Sequence, residues 1–305
     1  MVPNPGMRVR ALTRFLVVLC VACGGVLTDQ PRFSAESETR EAAESYTLPI
    51  TAPLDQGDSD LCYVYATLSM LETNYLYRHP DSRIELSRAA LQLDSIADRF
   101  ARRIRGEPRK LEEGGLPVEA LDLIRQKGLV ARGDFHDIVD PDPIFSSIDE
   151  KLSRAADPED KRKVLGAELK ASLGETPSVT HLDDETLSPD ELAKAVLGER
   201  DWVEFDLSRD GSEGLGPSRD PDARPDTWVM YVKLDLMIDL IHRSLASGRA
   251  VVAGSVDHSF LIYGADYDGE GKPLSYLIKD SLAPFVYRAS AEELRRKLTD
   301  VTVAL

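Results

Sequence analysis

Residues 55–77 read DQGDSDLCYVYATLSMLETNYLY. The first six, Asp55 to Asp60, form a turn cluster of Asp, Gly and Ser. From Leu61 the character changes: between residues 61 and 71 only Thr67 and Ser69 are polar. A helix that is apolar nearly all round belongs in the centre of a fold. Asp60 or Ser59 is the expected cap. Cys62 then falls in the first helical turn, where unpaired N–H groups and the helix dipole favour a thiolate, the nucleophilic form of cysteine. A buried structural cysteine is the bland alternative, but such a residue belongs mid-helix rather than at the start.

The flanks extend this reading. Tyr46 to Thr51 is an extended, β-leaning stretch, and Gln56 stands six residues before Cys62. If the loop folds back, the Gln56 side-chain N–H and the Cys62 backbone N–H suit an oxyanion hole. Downstream, Ile84-Glu85-Leu86-Ser87 opens a second helix with apolar positions 86, 89, 90, 93, 96, 97, 100 and 104 on one face. Glu112-Glu113-Gly114-Gly115 precedes a third helix, with Pro117 at its start and Gly128 at its stop. Near the C-terminus an amphipathic helix over 235–247 ends at Gly248. A strand at 249–254, a turn, and a strand led by His258 follow. After a further turn, strand 274–279 runs into Asp280 and Ser281.

These residues resemble the papain-like cysteine peptidases, in which an extended strand leads to Gln, a Gly/Ser turn, and Cys opening a buried helix. Tyr63 stands where that family usually has Trp, and Asp60 and Leu61 replace its small residues. The family's Lys-Asn-Ser-Trp-Gly is matched by Lys279-Asp280-Ser281-Leu282. The resemblance implies an α+β, two-lobed fold: a helical N-terminal lobe with a central buried helix, and a C-terminal lobe that is an antiparallel sheet or barrel. It implies thiol hydrolysis of peptide bonds, with Cys62 as nucleophile, His258 as base, Asp280 orienting the imidazole, Gln56 in the oxyanion hole, and Gly114 and Gly115 offering backbone to a peptide or protein substrate. Chemically, His258 would take the Cys62 proton and return it to the leaving amine. Asp280 adds a charge where the family has Asn. The missing Trp leaves the His–Asp bond open to water, and the short connection at Val256 removes one wall of the cleft.

Two other readings stay open. Double-glycine leader peptidases also place Gln six before Cys and use Asp after His. A papain-fold binding module without activity is the second. Leu173-Gly174-Glu175-Thr176-Pro177 and Leu187-Ser188-Pro189 are similar to the bleomycin hydrolase and aminopeptidase branch. They lie in an expected helical insertion at about 131–230, which holds short helices at 158–173 and from 188, and a loop at 208–226. His79, His136, His181 and His242 suit surface or structural roles. No metal-ligand spacing, P-loop or dinucleotide fingerprint occurs, so no cofactor and no metal are expected.

The start of the chain reads as an address. Arg8, Arg10 and Arg14 precede the apolar run Phe15–Ala22, which is too short to span a bilayer. Leu19-Cys20-Val21-Ala22-Cys23 resembles the bacterial lipoprotein box, with Cys20 at an unusual place. The expectation is a signal peptide over 1–22, lipidation at Cys23, a flexible tether over 23–45, and a peptidase domain over 46–305. The chain would then be exported and held on the bacterial cell envelope by lipid; an ordinary cleaved signal or a retained anchor is the alternative. Cys20 would leave and Cys23 would carry lipid, so Cys62 would be the one free thiol of an exported protein. The formal charge is −16 over 305 residues, against the basic face that nucleic-acid binding needs. Hydrophobic residues at 42% supply a core. Oligomeric state and substrate identity are not written in these features.

Overall fold

A computed structural model describes residues 42–107, 114–136, 142–220, 223–224, 226–283 and 285–305. Cys23, the expected signal segment and most of the expected tether lie outside them, as do Glu112 and Glu113. Strand β1 (Glu44–Thr47) is followed by helices α1 (Cys62–Arg78), α2 (Arg88–Ile104) and α3 (Pro117–Lys127). Next come α4 (Asp142–Arg154), α5 (Pro158–Leu173), the hairpin β2 (Thr180–Leu182) and β3 (Glu185–Leu187), and α6 (Pro189–Leu197). Strands β4 (Trp202–Leu207), β5 (Gly214–Pro217) and β6 (Trp228–Val232) lead to α7 (Leu234–Ala246). The chain ends with β7 (Val251–Ser255), β8 (His258–Tyr267), β9 (Pro273–Lys279), β10 (Val286–Ser290), α8 (Ala291–Lys297) and β11 (Asp300–Ala304). This is the expected α+β class.

Helix α1 is the central element. Every residue from Tyr63 to Tyr75 is buried. It packs on β8 and β7 on one side and on α2, α3 and α6 on the other. Its near-total apolar surface is the reason: each face meets another element. Asn74 secures it, with its Oδ1 accepting from the Ala250 N–H at 2.7 Å just before β7. The expected Asp60 or Ser59 cap is not formed. Leu61 occupies the cap position and no side chain caps the helix. Instead the Leu61 carbonyl accepts from the Val64 and Tyr65 N–H groups. Helix α2 is capped as its sequence suggests, Ser87 accepting from the Ala90 N–H at 3.1 Å.

Nine strands form one sheet in the order β10-β9-β8-β7-β11-β4-β6-β5, with β1 against β8. All pairings are antiparallel except β4 with β6. That parallel pair arises because the chain passes out through β5 and returns to place β6 between β4 and β5. Strand β8 is long enough for two partners on one edge: β7 along residues 258–262 and β1 along 264–267. Between them the register with β9 shifts at Gly264. A Cβ there would lie 2.4 Å from the Tyr46 carbonyl oxygen, so only glycine fits.

The 131–230 stretch is not purely helical. Its helices α5 and α6 start and end where the caps and stops indicate, but α4 and strands β2 to β6 are also there. Helices α2, α4 and α5 share a core of their own, including Phe100, Ile148, Leu165 and Leu173. Part of the expected loop at 208–226 is strand β5.

Candidate active site

Three element termini converge. Cys62 is the first residue of α1, His258 the first of β8, and Asp280 follows the last residue of β9. The β7–β8 connection is a two-residue turn, with Ser255 paired to His258. Asp257 takes φ 60°, the left-handed conformation that Asp tolerates in such turns. His258 is therefore fixed at the hairpin mouth by the sheet itself.

The His258 Nε2 lies 2.7 Å from Asp280 Oδ1. The Cys62 sulfur is near enough to the ring to raise its basicity, and with Nε2 engaged by Asp280, Nδ1 is the nitrogen left to face it. Burial alone would push the imidazolium pKa down. The hydrogen bonds and negative charges of Asp280 and Cys62 outweigh it and raise His258 to about 10. The expected exposure of the His–Asp bond is not found. Their side chains are 9% and 8% exposed. Asp280 Oδ1 also accepts from the Leu282 N–H at 3.0 Å, and Oδ2 accepts from the Tyr287 hydroxyl at 3.1 Å. Those groups enclose the carboxylate without a Trp.

Gln56 is buried and tied to the same corner. Its backbone N–H donates to the Ser281 carbonyl at 3.0 Å, and its side-chain oxygen accepts from the Ser281 hydroxyl. Its amide nitrogen donates to the Ser59 carbonyl within the 56–59 turn. Gly57 makes that turn at φ 60°, and the Tyr65 hydroxyl pins it to α1 by donating to the Asp55 carbonyl at 3.1 Å. One of the two amide N–H groups is thus committed locally.

Gly114 and Gly115 sit beside the residue that follows Cys62. A Cβ on Gly115 would stand 3.0 Å from the Tyr63 ring. The Gly114 carbonyl accepts from the Arg99 guanidinium, so it is engaged within the chain rather than presented bare. Tyr63 is itself held by a 2.8 Å hydroxyl contact with Ser95.

Beneath the site lies a buried ionic cluster. The Arg88 guanidinium forks onto Glu72, which also accepts from the Leu86 N–H at 2.8 Å and the Thr51 hydroxyl at 2.6 Å. Burial would raise the Glu72 carboxyl, but Arg88 and Lys279 together hold it below its usual value. Lys279 donates to Thr51 at 2.8 Å and is held down to about 8 chiefly by burial. The residue before Asp280 is therefore anchored to the middle of α1.

The other histidines have partners elsewhere. His242 meets the Tyr276 hydroxyl at 2.7 Å, His181 meets Asp134 at 2.8 Å, and His136 meets the Leu173 carbonyl. His79 stacks on Tyr75. A wide groove runs past the far end of α1, by Tyr75, His79, Glu85 and Asp183, away from Cys62. No group of His, Cys, Asp and Glu suited to a metal ion occurs among the described residues. Two contributors escaped the sequence reading: Tyr287, and the hydroxyl of Ser281. The alternation of residues 286–290 puts Tyr287 on the inward face of its strand, but the sequence does not name the partner of its hydroxyl.

No family model and no curated protein matches the sequence. Among solved structures, PepW from Lactobacillus rhamnosis is similar with a TM-score of 0.67 at 15% identity, covering 87% of this chain and 82% of that one. Digestive procathepsin L 3 of Tenebrio molitor larval midgut shares 12% identity over 90% of this chain and 73% of its own, with a TM-score of 0.40. Xylellain, a cysteine protease from Xylella fastidiosa, shares 12% over 90% and 92%, with a TM-score of 0.38. The last two scores are too low to bear on the argument. The fold is papain-like.

Proposed function

We propose that the protein is a cysteine-type peptidase. Cys62 sulfur attacks the scissile carbonyl carbon while His258 holds the thiol proton on Nδ1. The carbonyl oxygen gains negative charge in an oxyanion hole made by the Cys62 backbone N–H and the second amide N–H of Gln56. The C–N bond then breaks, and His258 gives its proton to the departing amine. Water, deprotonated by His258, attacks the thioester, releasing the acid and restoring the thiol. Asp280 keeps the ring in the tautomer and orientation that both transfers need.

The observation that carries this reading is His258 buried between the Asp280 carboxylate and the Cys62 thiol. A surface histidine or a satisfied core histidine has no reason to hold both. A second reading, a thiol peptidase of the double-glycine leader kind, is favoured by Asp in place of Asn and by the two-residue β7–β8 turn. Incubation of the protein with a peptide library tests both. General hydrolysis that disappears in Cys62→Ala is the expected result, and cleavage confined to bonds after Gly-Gly moves the assignment to the second reading. No cleavage of any member by the folded wild type would leave a papain-fold binding module as the better account.

A further inference from the structure

We propose that Tyr287 is a positioning residue of this site: its hydroxyl fixes the Asp280 carboxylate so that Oδ1 faces His258. The inference rests on the thiol reading above and extends it to a residue on a different strand.

A carboxylate joined to its chain through Cβ turns about the Cβ–Cγ bond unless both oxygens are held. Here Oδ1 accepts from His258 at 2.7 Å and from the Leu282 N–H at 3.0 Å. Both donors use the same oxygen. Among the described residues, the side chain that holds Oδ2 is Tyr287, whose hydroxyl donates to it at 3.1 Å. Tyr287 is 9% exposed and lies on β10, paired with Ile278 of β9, so its ring cannot follow a turning carboxylate. The connection from Asp280 back to Tyr287 is also built tightly. The Asp280 N–H donates to the Phe285 carbonyl at 2.6 Å, and Phe285 takes φ 61°, a conformation uncommon for a bulky residue. Non-glycine residues persist there when the surroundings impose it. The outcome of that turn is a hydroxyl delivered to Asp280.

Cys62 of α1 and Asp280 face His258. Asp280 and Glu293 of α8 face Tyr287. Burial first, and those two negative charges second, keep the Tyr287 hydroxyl protonated far above its ordinary range, so it is a donor at every working pH.

The test uses the full chain and iodoacetamide, read as the alkylation rate of the Cys62 peptide from pH 5 to 11. Tyr287→Phe keeps the ring and removes the donor. The carboxylate then makes its bond to Nε2 only part of the time, and the alkaline end of the alkylation profile, the step at which the imidazolium loses its proton and the ion-paired thiolate becomes a free one, moves down by about one pH unit. In an Asp280→Ala background the same substitution leaves the profile where Asp280→Ala puts it, because the hydroxyl acts through that carboxylate. The thermal unfolding midpoint is measured alongside. A lowered midpoint with an unmoved alkaline end, or an alkaline end that moves up, overturns the positioning role. A wild-type profile that His258→Ala does not alter is a separate failure: it removes the thiol reading, and the role of Tyr287 with it.

Discussion

At the scale of single residues, the decisive substitution is Asp280 for the more usual Asn. An amide offers His258 a hydrogen bond; a carboxylate offers a charge as well, next to a ring that is nine-tenths buried. The hydrogen bonds of Asp280 and Cys62 first, and their charges second, overcome burial and lift the imidazolium to about 10. Asp280→Asn is therefore expected to bring the alkaline limit of peptidase activity down by one unit or more, seen in a pH–rate profile, with the plateau retained in part. An unchanged limit would mean that Asp280 does not set the basicity of His258. Cys62, Gln56 and His258 were legible in the sequence because each sits beside a local signal: a turn, an apolar helix, an apolar strand. Tyr287 was not, because a cross-sheet hydroxyl contact depends on register and leaves no local trace.

At the scale of elements, α1 could be read directly, since its residues are apolar on every side and few structures other than a central helix accommodate that. Helix α3 was marked at both ends by Pro117 and Gly128; at Gly128 (φ 89°) a Cβ would strike the Pro189 backbone. Helix α6 was marked by its capping box at Ser188 and Glu191. Helix α4 was hidden by its Asp/Pro-rich lead, although Ile144, Ile148 and Leu152 recur at helical spacing and pack on α2 and α5. Strands β4 and β6 were hidden for another reason. Their short apolar stretches become part of the main sheet only through pairing, β4 with β11 and β6 with β4. The cap of α1 shows the limit of a local rule: Asp60 and Ser59 are good caps in isolation, yet the turn that carries Gln56 uses the Ser59 hydroxyl to donate to the Gln56 carbonyl at 2.7 Å.

At the scale of the whole molecule, the sheet joins the site to a set of buried acids. Glu204 on β4 faces Thr302 on β11, and Asp206 faces Asp300 in the same ladder. Burial raises all three carboxyls, Asp206 to about 7 and Asp300 to about 6, with Glu204 well above its usual value; the Asp300 charge adds to the rise of Glu204 and Asp206, and the Asp220 charge to that of Asp300. A carboxyl raised on folding stabilises most below its unfolded pKa and loses that contribution as pH rises through the folded one. His258, also raised, loses its contribution in the same direction, from its ordinary 6.5 upward. Thermal unfolding should therefore show a midpoint that falls between about pH 5 and pH 8, and Asp206→Asn should flatten that slope. A midpoint rising over this interval would contradict the assignment of these groups. The same tertiary frame brings Cys62, from the helical half, to His258 and Asp280, from the sheet, and that meeting is the central claim. The most direct test is the iodoacetamide alkylation rate of the Cys62 peptide at pH 6, in the folded protein, in the urea-unfolded chain and in folded His258→Ala. The account predicts that Cys62 reacts at least about tenfold faster folded than unfolded, since an unpaired thiol is almost wholly protonated at that pH, and that His258→Ala removes the difference. Equal rates in all three would contradict it.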